Sequence, residues 1–184
     1  MKKQNQKGFT LIELLLVIGL IGLTVGVTGD IILSLIRSYS KTQSTTDVER
    51  AANFAVGKLE KEFKNAVSVT PFNNSTSLSF ETKDSDGTTR SVTYEVLTGA
   101  SCGLTGTKRC MKRTVDAGSP TFLTDTSETN IVCTGPSSSC FDELLDNPST
   151  LQLFLRFTKM NNTTGVFSGS VDINTTVIAK GTYK

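Results

Sequence analysis

From Phe9 to Gly29 the chain carries one charged residue, Glu13, in an otherwise uncharged and mostly apolar run. That is about the length a helix needs to cross a hydrocarbon core. A segment this apolar must be hidden in lipid or against other apolar surface, which constrains the fold more than any other feature. Lys2, Lys3 and Lys7 precede the run and no acid does. This asymmetry predicts a cytoplasmic N-terminus, with the rest of the chain on the far side of the membrane. A cleaved secretory signal fits less well. A carboxylate in its apolar region is costly, and "VTGD" is a poor small-x-small cleavage site.

Glu13 is the residue to explain. An unpaired carboxylate costs about 3 kcal/mol at mid-bilayer and less near an edge. The chain offers no nearby cation: its lysines lie in the leader, and Arg37 is several turns away. A positive group on another molecule is the natural partner. Cutting the chain between Gly8 and Phe9 would create one, the free α-amino group of Phe9.

The stretch "KGFTLIELLLVIGLIG" resembles the N-terminal signature of the type IV pilin superfamily: type IV pilins, pseudopilins of type II secretion, and competence pilins. Lys7 and Gly8 match the end of the basic leader, and Phe9 the residue that becomes the N-methylated mature N-terminus. Thr10, Leu11, Ile12, Glu13 and Leu14 continue the match, and Gly22 falls where the family often has glycine. The resemblance implies cleavage after Gly8 and methylation of Phe9 by a prepilin peptidase. It further implies that Glu13 pairs with the Phe9 amine of an adjoining subunit during assembly. It covers roughly the first 30 residues. The family often has a proline soon after this segment. Here the region reads "VGVTGDIIL", with Gly26, Gly29 and Asp30. Gly19, Gly22, Gly26 and Gly29 can loosen the helix and, the stronger of two compatible readings, let other helices pack closely on small faces.

The net charge of +2 belongs to the leader. Without its three lysines the side chains give 16 positive against 17 negative, a net of −1. Nothing global points to nucleic acid. Four cysteines, Cys102, Cys110, Cys133 and Cys140, follow an apparent membrane segment, which predicts an oxidising compartment. "CGLTGTKRC" and "CTGPSSSC" are short and rich in turn formers, which favours local pairs, Cys102–Cys110 and Cys133–Cys140, over the two other connectivities. No close two-to-four-residue spacing and no histidine support zinc.

Beyond Asp30 the helical pattern continues. Ala52, Ala55, Leu59, Phe63 and Ala66 fall at steps of three and four, with Lys58, Glu60, Lys61, Glu62 and Lys64 largely on the other side. "TDVE" at Thr46–Glu49 resembles a capping box and predicts a fresh helix start after a kink near Ser44. Pro71 closes the segment. A continuous helix from Phe9 to Ala66 would be roughly 87 Å long. The remainder reads as β structure. "SLSFETKDSDGTTRSVTYEVL" is a hairpin around "DSDG". "RCMKRTV", "TNIVC", "TLQLFLRFTK" and "VFSGSVDINTTVIAKGTY" supply further strands, with "NNTTG" between the last two. "FDELLDNP" reads as a short helical turn. The expected class is α+β: a long N-terminal helix whose outer half packs on an antiparallel sheet. The expected divisions are a leader at 1–8, a membrane or filament-core helix at 9–30, its amphipathic continuation at 31–70, and a β body at 71–184.

Other chemistry is sparse. "DSDG" opens like a calcium loop, but Thr82 and Thr93 stand where ligands are required, so a turn is the better reading. "KRCMKR" places Lys108, Arg109, Lys112 and Arg113 around Cys110 as a candidate contact for an anionic partner, against the plainer reading of a solvated strand end. "DELLD", with Asp142, Glu143 and Asp146, is read as solvated surface. Asn-x-Ser/Thr triplets, such as those at Asn73, Asn162 and Asn174, carry little weight. No P-loop, nucleophile elbow, dinucleotide glycine motif or histidine is present. The chain reads as non-enzymatic, with no cofactor or metal expected.

The resemblance therefore implies a filament subunit, with a lean toward a minor pilin or a J-type-like pseudopilin. Its implied partners are other pilin subunits, the prepilin peptidase, a membrane assembly platform and, before assembly, the bilayer. The competing reading is a filament-displayed adhesin or DNA receptor using residues 108–113.

Overall fold

The computed structural model describes residues 9–72, 75–84, 86–103, 106–125, 129–159 and 169–180. Helix α1 spans Leu11–Lys64. Among the described residues nine strands follow: β1 (Ala66–Val69), β2 (Ser77–Lys83), β3 (Thr89–Thr98), β4 (Arg109–Val115), β5 (Thr121–Phe122), β6 (Thr129–Cys133), β7 (Phe141–Asp146), β8 (Ser149–Lys159) and β9 (Ser170–Ile178). The class is α+β, as expected: one long helix and antiparallel sheet. The chain divides into two compact units, residues 1–40 and 41–184.

In the first unit every described residue up to Tyr39 is exposed, including the whole apolar run. No described residue of this unit covers it.

The second unit begins inside α1. There the helix buries Val48, Ala52, Ala55, Val56, Leu59 and Phe63, the stripe read from the sequence, and Ala66 follows at the start of β1. No helix start occurs near Ser44, contrary to the expectation from "TDVE": α1 runs unbroken through Thr46–Glu49. The threonines there are spent otherwise. Thr45 and Thr46 donate their hydroxyls to the carbonyls of Lys41 and Thr42, four residues back. A hydroxyl so engaged is not a cap.

Two sheets form instead of the single one expected. β1 to β5 pair antiparallel in chain order. The second sheet centres on β8. One edge of β8 pairs along most of its length with β9. Its other edge is shared end to end by β6, opposite Leu155–Lys159, and β7, opposite Ser149–Leu153. Alternation sends Val92, Tyr94 and Val96 of β3, and Leu151, Leu153, Leu155 and Phe157 of β8, into the core. Phe80 lies between Phe63, edge-on with centroids 5.5 Å apart, and Tyr94, stacked at 6.0 Å.

"FDELLD" is strand β7, not the helical turn expected. Its backbone pairs with β8, and a cis Asn147–Pro148 bond stands at the turn between them. The "DSDG" hairpin is found. The Asp84 amide donates to the Thr88 carbonyl, the Gly87 amide donates to the Asp84 carbonyl, and Gly87 has φ of +83°. The "NNTTG" segment lies outside the described residues.

Candidate functional site

The first turn of α1 contains a reciprocal cap. Thr10 precedes the helix, and Glu13 is its third residue. The Glu13 amide lies 3.4 Å from Thr10 Oγ1 and donates to it. Glu13 Oε2 accepts from the Thr10 amide at 3.5 Å and from the Thr10 hydroxyl at 3.3 Å. This is the capping-box arrangement, in which residues three apart satisfy each other's orphan donors. The contacts are long, and the carboxylate is also favoured by the positive end of the helix. The spacing "TLIE" carries this signal in the sequence, the same spacing that "TDVE" has. Glu13 makes no ion pair among the described residues. Gly8 lies outside them, and Phe9, 79% exposed, precedes the cap.

Past the cap, leucines, isoleucines and valines stand open on all sides of the helix. A Cβ added at Gly19, Gly22, Gly26 or Gly29 would meet nothing within 4 Å, so these small faces are open to approach. Thr24 and Thr28 donate their hydroxyls to the carbonyls of Ile21 and Thr24, which satisfies their polar atoms internally. The helix is long and apolar enough to cross a membrane. Such a surface suits lipid or the faces of other helices.

The four cysteines form Cys102–Cys110 and Cys133–Cys140. The first closes the connection from β3 to β4, and the second that from β6 to β7. Neither pair is available as a thiol.

The basic cluster at 108–113 does not form one patch. Successive residues of β4 point to opposite faces of the sheet. Lys112 pairs with Glu95 at 2.8 Å. Arg113 turns to the helix, where Nε and Nη2 grip both oxygens of Glu62 at 2.9 and 2.8 Å. Arg109 Nη1 lies 2.9 Å from Cys133 Sγ. Only Lys108 is left without such a contact among the described residues.

Glu62 is not singled out by the sequence, yet it holds three hydrogen bonds from two partners. Besides Arg113 it accepts the Tyr94 hydroxyl at 2.7 Å. Burial, then the Glu62 carboxylate, push the Tyr94 phenol far above its ordinary range, so it stays a neutral donor. Burial works against the Arg113 charge, but the Glu62 carboxylate outweighs it and holds the guanidinium above its usual value. The partners lie 32 and 51 residues from Glu62 in sequence, so no local pattern foretells them. Among the described residues no three His, Cys, Asp or Glu side chains gather to hold a metal ion.

Residues 3–29 match a known family, the prokaryotic N-terminal methylation motif. The chain thus carries the signature of the type IV pilins and pseudopilins. Proteins with this signature are structural subunits that assemble with one another, and the motif marks them for prepilin peptidase. No curated protein and no solved structure gives a match to the chain.

Proposed function

We infer that this chain is a subunit of a type IV pilus or type II secretion-like filament, in the minor-pilin or pseudopilin class. It inserts in the cytoplasmic membrane as a single-pass protein, N-terminus inside and body outside. Prepilin peptidase cuts after Gly8 and methylates Phe9. The helix then leaves lipid for the filament core, where its apolar surface packs on neighbouring helices. Glu13 neutralises the N-terminal ammonium of an adjoining subunit. The reaction belongs to the peptidase; this chain is its substrate.

One observation carries the reading: a methylation motif opens a helix whose apolar surface no described residue of its own unit covers. A carboxylate at the first turn of such a helix is tolerable in grease only beside a positive charge, and the mature N-terminus supplies one.

The mass of the chain recovered from sheared filaments tests it. Residues 9–184 plus one methyl group is the expected species. Intact precursor, or a chain beginning near Asp30, would reject the proposal.

A further inference from the structure

A groove of about 780 Å³ lies between the last three turns of α1, with Asn65 just beyond it, and the strands β2, β3 and β4. It holds two ion pairs. Arg113 grips Glu62, and Arg90 Nη2 meets Asp84 Oδ2 at 2.9 Å. Both carboxylates lining the groove are therefore already matched by guanidiniums. Lys58, Lys61 and Lys83 line it as well and make no ion pair among the described residues. Five cations against two acids leave a local charge of +3, whereas residues 9–184 as a whole sum to −1.

Phe54 lines the same groove, and the residue is 59% exposed. Phe54, Lys58 and Lys61 stand at steps of four and three, on one face of the helix. Gly57 lies on that face too, and a Cβ there would meet nothing within 4 Å. The surface beside the ring is thus open. Lys58 and Lys61 repel one another across one turn, and a bound anion would relieve that repulsion.

We propose that this groove binds a short acidic polypeptide segment of another protein, with carboxylates against Lys58, Lys61 and Lys83 and an apolar side chain against Phe54. A nucleic acid is the poorer occupant. Its binding rests largely on the number of phosphates neutralised. Here three ammoniums are free, both guanidiniums of the groove are engaged, and one ring stands where a row of stacking platforms would be needed. A locally positive groove on a body of no net charge (15 Lys/Arg against 15 Asp/Glu in residues 41–184) suits a short acidic segment better than a long polyanion. The contact uses none of the residues assigned to the filament core, so it stands or falls apart from that assignment.

The test uses the full-length chain in detergent micelles and a fluorescein-labelled peptide of four glutamates around one phenylalanine, read by anisotropy. Saturable binding is expected. The triple variant K58Q/K61Q/K83Q should weaken it by about tenfold, in line with three partly exposed ion pairs, and Phe54→Ala should weaken it further. A peptide with glutamine in place of glutamate should bind far more weakly. Melting temperatures of the variants report whether the body is intact, and charge reversal of Lys83 alone, on the exposed β2 end, provides a second variant. The proposal is overturned if the acidic peptide fails to bind, if the triple variant binds as wild type does, or if the glutamine peptide binds equally well. Tighter, lysine-dependent binding of a single-stranded thymidine oligonucleotide would assign the groove to nucleic acid instead. Processing after Gly8 is followed on the same triple variant. Its retention alongside lost peptide binding separates the groove from the filament contact.

Discussion

Thr10 and Glu13 cap each other at the start of α1: the Glu13 amide donates to Thr10 Oγ1, and the Glu13 carboxylate accepts from the Thr10 amide and hydroxyl. Glu13 therefore has two separable properties, a capping geometry and a charge. A capping box accepts glutamine as readily as glutamate at this position. Glu13→Gln is expected to keep the helix start, membrane insertion and processing after Gly8, and to lose filament incorporation. Thr10→Val is expected to cost the cap, about 1 kcal/mol, while leaving the charge and most incorporation in place. Immunoblots of membrane and sheared-filament fractions distinguish the two. Equal incorporation of Glu13→Gln and wild type would remove the charge from the mechanism.

The grip of Arg113 on Glu62 ties β4 to the helix, with Tyr94 as a third member. Both side chains are about four-fifths buried. Arg113→Met leaves a carboxylate with the phenol alone and is expected to destabilise the body by about 2–4 kcal/mol. Glu62→Leu combined with Arg113→Met should cost less than the two singles together. Thermal melts of the four proteins give the coupling.

Gly169 is buried against the helix backbone. A Cβ there would lie 2.7 Å from Ser44 C, Ser44 O and Thr45 N. Those are main-chain atoms, so no flexible tip can move aside. Gly169→Ala is expected to cost about 1–3 kcal/mol by forcing apart the helix and the chain entering β9. An unchanged melting temperature would show that this approach is looser than described.

Cys102–Cys110 closes a short loop with eight residues of separation. Replacing both cysteines by serine should lower stability by about 2–3 kcal/mol, on the chain-entropy estimate. A thermal melt of the double variant beside wild type, both without reductant, measures it.

Acid should weaken the body. Asp47 is held below the usual carboxylate range by its hydrogen bond to Lys159, Asp86 by the Thr88 amide, and Asp172 by Arg156. A folded-state value below the unfolded one means that the stabilisation is complete above the unfolded value, about 3.9. It is lost as pH falls through the folded-state values. The melting temperature should therefore drop below about pH 4. Asp47→Asn, Asp86→Asn and Asp172→Asn together should flatten that drop.

Much of this was legible in the sequence because it is local or periodic. The apolar run, the three-and-four stripe from Ala52 to Ala66, the β2–β3 hairpin and the short cysteine loops all declare themselves within a few residues. What was hidden depends on distant partners. "FDELLD" contains good helix formers, and only pairing with β8 makes it a strand. "TDVE" has the spacing of a cap, but the helix preceding it continues, so the Thr46 hydroxyl turns back to the Thr42 carbonyl. The charges of "KRCMKR" looked like one cluster because they adjoin in sequence. Strand alternation and the distant acids Glu62 and Glu95 divide them. Two sheets rather than one follow from pairings across long separations, which no window of sequence contains.

The pairing of Glu13 with a neighbour's amine is measured most directly in assembled filaments by solid-state NMR. This chain would carry ¹³C-labelled glutamate, and the surrounding subunits ¹⁵N-labelled N-termini. A dipolar contact between the Glu13 carboxyl carbon and a neighbour's terminal nitrogen, within about 4 Å as an ion pair requires, is the expected result. Well-formed filaments in which Glu13 shows no contact with any neighbour's amine would contradict it.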